Sequence, residues 1–342
     1  MRDLAAPFRT LHGTLRDARA TAFAVVRNES YYLRSFLDHH RRLGIDQFII
    51  LDDQSTDGTR ELLLLQPDCL VLESPFAFGE RVVVPGSWPE RRERAGILFK
   101  SLIPQRHLAG RYSLYLDADE YLVLPAGVAS VGDLFEVLAR NRIPSVAAGL
   151  IDFYPESAGD LDVPRHLLTS QQMLGAHPYF DAVPLLGWRE GATSPHRTYD
   201  GATARLFRKH GIRHLPAWAR GAPRWLRRML PFRYPTPSVL KTPIVHWAPG
   251  VEYLNSHKAN VPCTGQVVVG LAHMKFTHDL SRRVAYAIES EAYTRGSEKY
   301  LSYGALLASM RGGDPSFLGP DSRRYAAPAD LAAAGLTRLD LA

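Results

Sequence analysis

Residues 21–59 read TAFAVVRNESYYLRSFLDHHRRLGIDQFIILDDQSTDGT. Thr21 to Val26 is a short apolar run of β-formers, and Asn28-Glu29-Ser30 offers side-chain oxygens to cap the next element. Tyr32, Leu33, Phe36, Leu37, His40 and Leu43 then recur at three- and four-residue spacing up to Gly44, which predicts an amphipathic helix with a glycine stop. Asp46 to Asp53 reads as a second buried strand ending in two carboxylates. Asp57-Gly58-Thr59 opens a second helix to about Leu65, and Cys69 to Glu73 is a third strand. Strand, helix, strand, helix, strand is the alternation of a parallel sheet covered by helices.

Downstream, Ser87, Pro89 and Glu90 read as a capping box for a helix that ends at Pro104. Tyr112 to Leu116 is a strand running into Asp117-Ala118-Asp119-Glu120, Ser130 and Asp133 cap another helix, and Val146 to Phe153 is a further strand. Beyond Tyr154 strands are expected at 204–209, 239–246 and 267–272, and helices at 279–295 and 298–310. The chain of 342 residues has a net charge of +6 and average apolar and charged content, which excludes disordered, collagen-like and coiled-coil classes. Its two cysteines cannot build a disulfide framework, no secretory signal is evident, and no apolar run is long enough for a membrane span; a cytoplasmic protein, peripheral at most to the inner face of a membrane, is expected.

In open α/β sheets, ligands bind beyond the carboxyl ends of the strands, so polar residues there are the first functional candidates. Three strands end so: one in Arg27-Asn28-Glu29, one in Asp52-Asp53, and one in Asp117-Ala118-Asp119. In an extended Asp-x-Asp both side chains point to one side, and paired hard oxygens suit Mg²⁺ or Mn²⁺ with positions left for diphosphate oxygens. Asp57 reads more simply as a turn former.

The stretch VVRNESYYLRSFLDHHRRLGIDQFIILDDQSTDGT (25–59), followed by YLDADEYL (115–122), resembles the nucleotide-sugar domain of family 2-like glycosyltransferases, in a branch similar to family 92; KTPIVHWAPGVEYLNSH (241–257) and GLAHMKF (270–276) resemble that branch's later blocks. The resemblance implies a GT-A (Rossmann-like) fold: a mixed, mainly parallel sheet with helices on both faces and a C-terminal helical extension. It implies an N-terminal extension over 1–18, a donor-binding half over 19–153, an acceptor-side half over 154–276, and C-terminal helices and tail over 277–342. It also implies that Asn28, Glu29, Asp52, Asp53 and Asp117 line the nucleotide pocket, that Asp117, Asp119 and His273 hold Mn²⁺ or Mg²⁺, and that Lys275 lies near the diphosphate. The implied activity is inverting transfer of a sugar from a nucleoside-diphosphate donor, a UDP-sugar being expected, to a glycan or lipid-linked acceptor in surface polysaccharide synthesis.

Inversion needs a carboxylate that accepts the acceptor's proton, and Asp152, Glu156 and Asp181 are the candidates, with Asp152 favoured because it closes a strand. His257 is a candidate acceptor contact. Residues 216–237 carry Arg220, Arg224, Arg227, Arg228 and Arg233 without an acid, among Trp218, Trp225 and Phe232, a composition suited either to an anionic membrane surface or to a solvated lid. No nucleic-acid module accompanies them, so nucleic acid is not an expected partner. Two other readings stand beside the enzyme: a catalytically silent nucleotide- or glycan-binding protein on the same fold, and a sugar-phosphate nucleotidyltransferase, against which the lack of a Gly-rich N-terminal loop counts.

Overall fold

The computed structural model describes residues 7–84, 91–166, 168–213, 234–290 and 298–341. The first half contains β1 (Arg9–His12), β2 (Thr21–Val26), α1 (Ser30–Arg42), β3 (Gln47–Asp52), α2 (Thr59–Leu64), β4 (Cys69–Glu73), β5 (Arg81–Val83), β6 (Arg92–Arg94), α3 (Ala95–His107), β7 (Tyr112–Tyr115), β8 (Glu120–Val123), α4 (Val131–Arg140) and β9 (Ser145–Asp152). A 3-10 turn (Ala158–Asp162) leads into α5 (Ser170–Ala176), β10 (Tyr179–Asp181), β11 (Leu186–Gly187), β12 (His196–Arg197), α6 (Gly201–Lys209), β13 (Leu240–His246) and β14 (Val267–His273). The chain closes with α7 (Leu280–Ser290), α8 (Glu298–Gly312), β15 (Ser322–Arg324), α9 (Pro328–Ala333) and β16 (Arg338–Leu339).

The protein is α/β, built on one large mixed sheet in the order β1-β4-β3-β2-β7-β13-β9-β14-β16, with β8 also pairing β14. Parallel pairing joins β2 to β3 and β7, β3 to β4, and β9 to β14, while β13 lies antiparallel between β7 and β9. The strands β2, β3, β4, β7, β9 and β14 therefore all end on one edge. β13, from beyond the expected division at 153/154, lies between β7 and β9, so strands from both sides of that position interleave in one sheet.

Period-two alternation divides the strand side chains between two cores. Ala22, Ala24, Val26, Phe48, Ile50 and Val71 face α1 and α4, where Leu33, Phe36, Leu37, Leu134 and Leu138 are buried. Phe23, Ile49, Leu51, Leu70 and Leu72 face α3 through Phe99 and Ile103. Each large apolar side chain so buried contributes about 1.5–3 kcal/mol. A third core joins α6, α7 and α8 through Leu206, Phe207, Val284, Tyr303 and Leu306.

The helix after β2 ends as expected, with Gly44 at φ +86°, but it is capped from elsewhere: Glu29 occupies the N-cap without a side-chain cap bond, and Asp57 accepts the Ser30 N–H at 3.1 Å. Pro104 does not stop α3, which continues to His107. The strand expected at 204–209 is instead part of α6: Gly201, at φ +83°, turns the chain, and Ala202, Leu206 and Phe207 are buried at helical spacing. The expected capping box at Ser87, Pro89 and Glu90, residues 216–233 of the basic segment, and the end of the helix expected over 279–295 lie outside the described residues. No helix among the described residues is long and apolar enough to cross a membrane.

Candidate functional site

The loop after β3 folds over the end of β2. The Asn28 side-chain carbonyl accepts the Thr56 N–H at 2.8 Å, and Asn28, at φ +56°, donates its own N–H to Ser55 Oγ at 3.0 Å. Asp57 ties both helix starts together, accepting from Ser30 Oγ at 2.7 Å with one oxygen and from Thr59 Oγ1 at 2.6 Å with the other. Asp52 pairs with Arg60 at 2.6 Å, while Asp53 accepts the Phe78 N–H at 2.9 Å and faces Arg27 at 3.5 Å. Burial pushes the Asp53 carboxyl up, against the pull of the Phe78 N–H and Arg27. An open cleft of about 810 Å³ flanks this edge, lined by Phe8, Gln54, Ser55, Thr56, Arg60 and Glu73.

Two strands along from β3, the Asp-x-Asp turn joins β7 to β8. Glu120 accepts the Asp117 N–H at 2.9 Å, and the Asp119 carbonyl accepts the Met274 N–H at 2.7 Å, fixing the turn against the end of β14. Asp117 accepts from the Tyr115 hydroxyl at 2.5 Å and pairs with Lys241 at 3.2 Å; Lys241 also pairs closely with Glu120. The Lys100 and Lys241 ammonium groups lie 4.5 and 4.2 Å from the Tyr115 ring centroid. Burial pulls Lys100 down to about 8. Partial desolvation would raise the half-exposed Asp117 carboxyl, but Lys241 and Lys100 outweigh it and hold the group below the usual carboxylate range.

Asp119 and His273 meet because β14 pairs with β8 on one side and β9 on the other, placing His273 opposite both Glu120 and Asp152. His273 Nε2 lies 3.6 Å from Asp119 Oδ2, too long for a hydrogen bond, and Nδ1 lies 3.3 Å from Asp152 Oδ1. Asp152 also faces Lys275 at 3.3 Å and accepts from Thr203 N at 3.0 Å and Thr203 Oγ1 at 2.6 Å. Arg283 of α7 closes the cluster: one nitrogen donates to both Glu29 oxygens at 2.5 and 2.6 Å, and another donates to Asp119 Oδ2 at 2.7 Å. Burial opposes ionisation of Asp119, yet Arg283 and then His273 hold it well below the usual range; Lys275 and His273 do the same for Asp152.

The structure thus brings Glu29, Asp119, Asp152, His273 and Lys275 into one contiguous network, with Asp117 at its rim, its side chain 40% exposed. Asp52 and Asp53 occupy the same sheet edge but make separate contacts. Among the described residues no three His, Cys, Asp or Glu side chains are grouped to hold a metal, so the expected trio is not assembled: Asp117 is turned to Tyr115 and Lys241. Asp119 Oδ2 and His273 Nε2, 3.6 Å apart, are of the donor types that hold a hard divalent ion and would have to close to about 3.0 Å to be neighbouring ligands of an octahedral one. Such ions take one or two side chains and complete their shell with water and phosphate oxygens.

The candidate bases fare differently. Asp152, clamped by Lys275, His273 and Thr203, is a poor proton acceptor despite its strand-end position. Asp181 is buried and consumed by Arg205 at 2.8 and 2.9 Å, with the Tyr154 and Tyr199 hydroxyls at 2.5 and 2.8 Å. Glu156 is exposed just past β9. The loop holding His257 packs on β13, where the His257 carbonyl accepts the Thr242 N–H at 2.8 Å.

Sequence reasoning missed Arg283, Lys241, Lys100 and Thr203. A lysine inside the apolar strand LKTPIVH was a readable signal, since a buried charge demands a partner. Arg282-Arg283 in the first turn of a helix, where basic residues are unfavourable, was another. No protein-family model matches the chain, and no curated protein matches it.

Proposed function

We propose that the chain is an inverting glycosyltransferase of GT-A type that moves a sugar from a nucleoside-diphosphate donor, a UDP-sugar by preference, to a glycan or lipid-linked acceptor. The observation that carries this reading is the pairing of Asp119 with His273 at the carboxyl edge of the sheet, with the cations Lys275 and Arg283 beside it. In this reading Asp119 and His273 hold Mn²⁺ or Mg²⁺, which when bound offsets negative charge on the departing diphosphate. Lys275, anchored on Asp152, presents a fixed positive charge toward the same leaving group. Asp52 and Asp53, beside the open cleft at the end of β3, serve the nucleoside, and Asp117 at the solvent-facing rim serves the ribose or donor sugar. Of the three candidate bases, Glu156 alone has a carboxylate not committed to a buried ion pair among the described residues, and it takes the proton of the attacking hydroxyl.

A panel of nucleotide sugars screened by thermal shift with and without Mn²⁺ tests this. Metal-dependent stabilisation of about 2.7 kcal/mol is expected at a ligand concentration 100 times Kd. Asp119→Asn should abolish both the stabilisation and sugar-nucleotide hydrolysis while leaving the far-UV circular dichroism unchanged. Wild-type protein stabilised by no nucleotide sugar would overturn the reading. The catalytically silent alternative draws support from the internal neutralisation of Asp117 by Lys241 and of Asp119 by Arg283; stabilisation without any hydrolysis would favour it.

A further inference from the structure

Arg283 occupies an unusual position: its side chain is only 19% exposed, and most of its donors are already fixed. Glu29 holds one terminal nitrogen at 2.5 and 2.6 Å, Asp279 faces Nε at 3.3 Å, and the Tyr32 ring lies 4.8 Å from the guanidinium carbon. The remaining nitrogen, Nη1, reaches Asp119 Oδ2 at 2.7 Å, the same oxygen that stands 3.6 Å from His273 Nε2. A divalent cation shared by Asp119 and His273 would therefore meet a guanidinium already bound to its carboxylate. Nη1 and a cation seated beside His273 would compete for that one oxygen, and releasing the Arg283 contact relieves the repulsion between them. Displacement costs Arg283 one hydrogen bond, because Glu29, Asp279 and Tyr32 keep the rest of the side chain in place.

We propose, on the donor-site reading above, that Arg283 is a resident counterion that exchanges partners. In the ligand-free protein it neutralises Asp119; when a divalent cation and a nucleoside diphosphate arrive together, Nη1 transfers from Asp119 to a diphosphate oxygen. A planar guanidinium with one nitrogen already pinned by Glu29 is preorganised for that contact. Arg283 thus opposes the metal when it comes alone and favours the nucleotide when metal is present, which makes cation and donor binding cooperative.

The test is calorimetric titration of Mn²⁺ and of UDP into wild type, Arg283→Gln and Arg283→Lys. Arg283→Gln is expected to bind Mn²⁺ alone about tenfold more tightly, since Asp119 is freed, and to bind UDP in saturating Mn²⁺ at least tenfold more weakly. Arg283→Lys keeps the charge but not the fork and should move both affinities in the same opposed directions by smaller factors; it stands in if the glutamine variant does not fold. A residue with a merely structural role would weaken both ligands together or change neither, and either result in both variants overturns the proposal while leaving the donor-site reading in place. Wild-type protein that binds neither Mn²⁺ nor UDP would overturn both.

Discussion

Replacing Asp152 by asparagine tests whether this carboxylate is structural support or a working base. Asp152 and Lys275 are both nearly buried, with side-chain exposures of 7% and 10%, and their charged atoms lie 3.3 Å apart. At an effective dielectric constant of about 20, Coulomb's law gives an attraction of about 5 kcal/mol at that distance. The introduced amide could still accept from Thr203, but it would leave the Lys275 ammonium buried opposite a neutral group. Orphaning one member of a buried pair costs about 3–5 kcal/mol, and the unfolding entropy of a 342-residue chain is about 0.7 kcal/mol/K, so D152N should unfold at a midpoint about 4–7 °C below wild type. Adding K275M removes the orphaned charge and should recover all but about 1–2 kcal/mol. The pH dependence carries a sign: because the folded Asp152 titrates below its unfolded value of about 3.9, its contribution is complete above that pH and is lost as pH falls below it. The gap between wild type and D152N in urea denaturation should therefore be full at pH 7 and narrow below about pH 4. A D152N protein within about 1 kcal/mol of wild type at pH 7, or a double variant less stable than D152N, would refute the reasoning.

Asp57→Asn should cost about 1–3 kcal/mol by urea denaturation, more than a simple turn former would, because one amide cannot accept from Ser30 and Thr59 with both of its ends; no measurable loss would show that the link between the two helix starts contributes nothing. The basic residues at 216–237 should bind anionic vesicles, and replacing Arg224, Arg227 and Arg228 by Gln should lower that binding and flatten its salt dependence, at about 1 kcal/mol per charge. Sedimentation with vesicles at low salt measures it, and wild-type protein left in the supernatant would end the membrane assignment.

Much of the first half was legible because its signals are local. An apolar run, a 3.6-residue stripe and a glycine stop define β2 and α1 without reference to anything distant, and β3, α2 and β4 follow alike. The 204–209 segment failed because six residues do not separate helix from strand by periodicity; Gly201 and the Thr203 contact to Asp152 decide it from outside that window. The strand-end rule found Asp117, Asp119 and Asp152. It could not find Arg283 or Lys241, whose roles come from a helix and a strand delivered to the same edge from far along the chain.

That β13 sits between β7 and β9 has a consequence for synthesis. The site's charges are balanced in the finished protein, but the acids and bases emerge from the ribosome separately: Lys241 follows Asp117 by 124 residues and Arg283 follows Asp119 by 164. At about 5–20 residues per second, Asp119 waits roughly 10–30 s for its counterion. For most of that interval, until β13 emerges, β7 and β9 lack the strand that joins them, and each presents an unpaired edge. A chain cut at residue 153 should therefore aggregate rather than persist as a free folded unit.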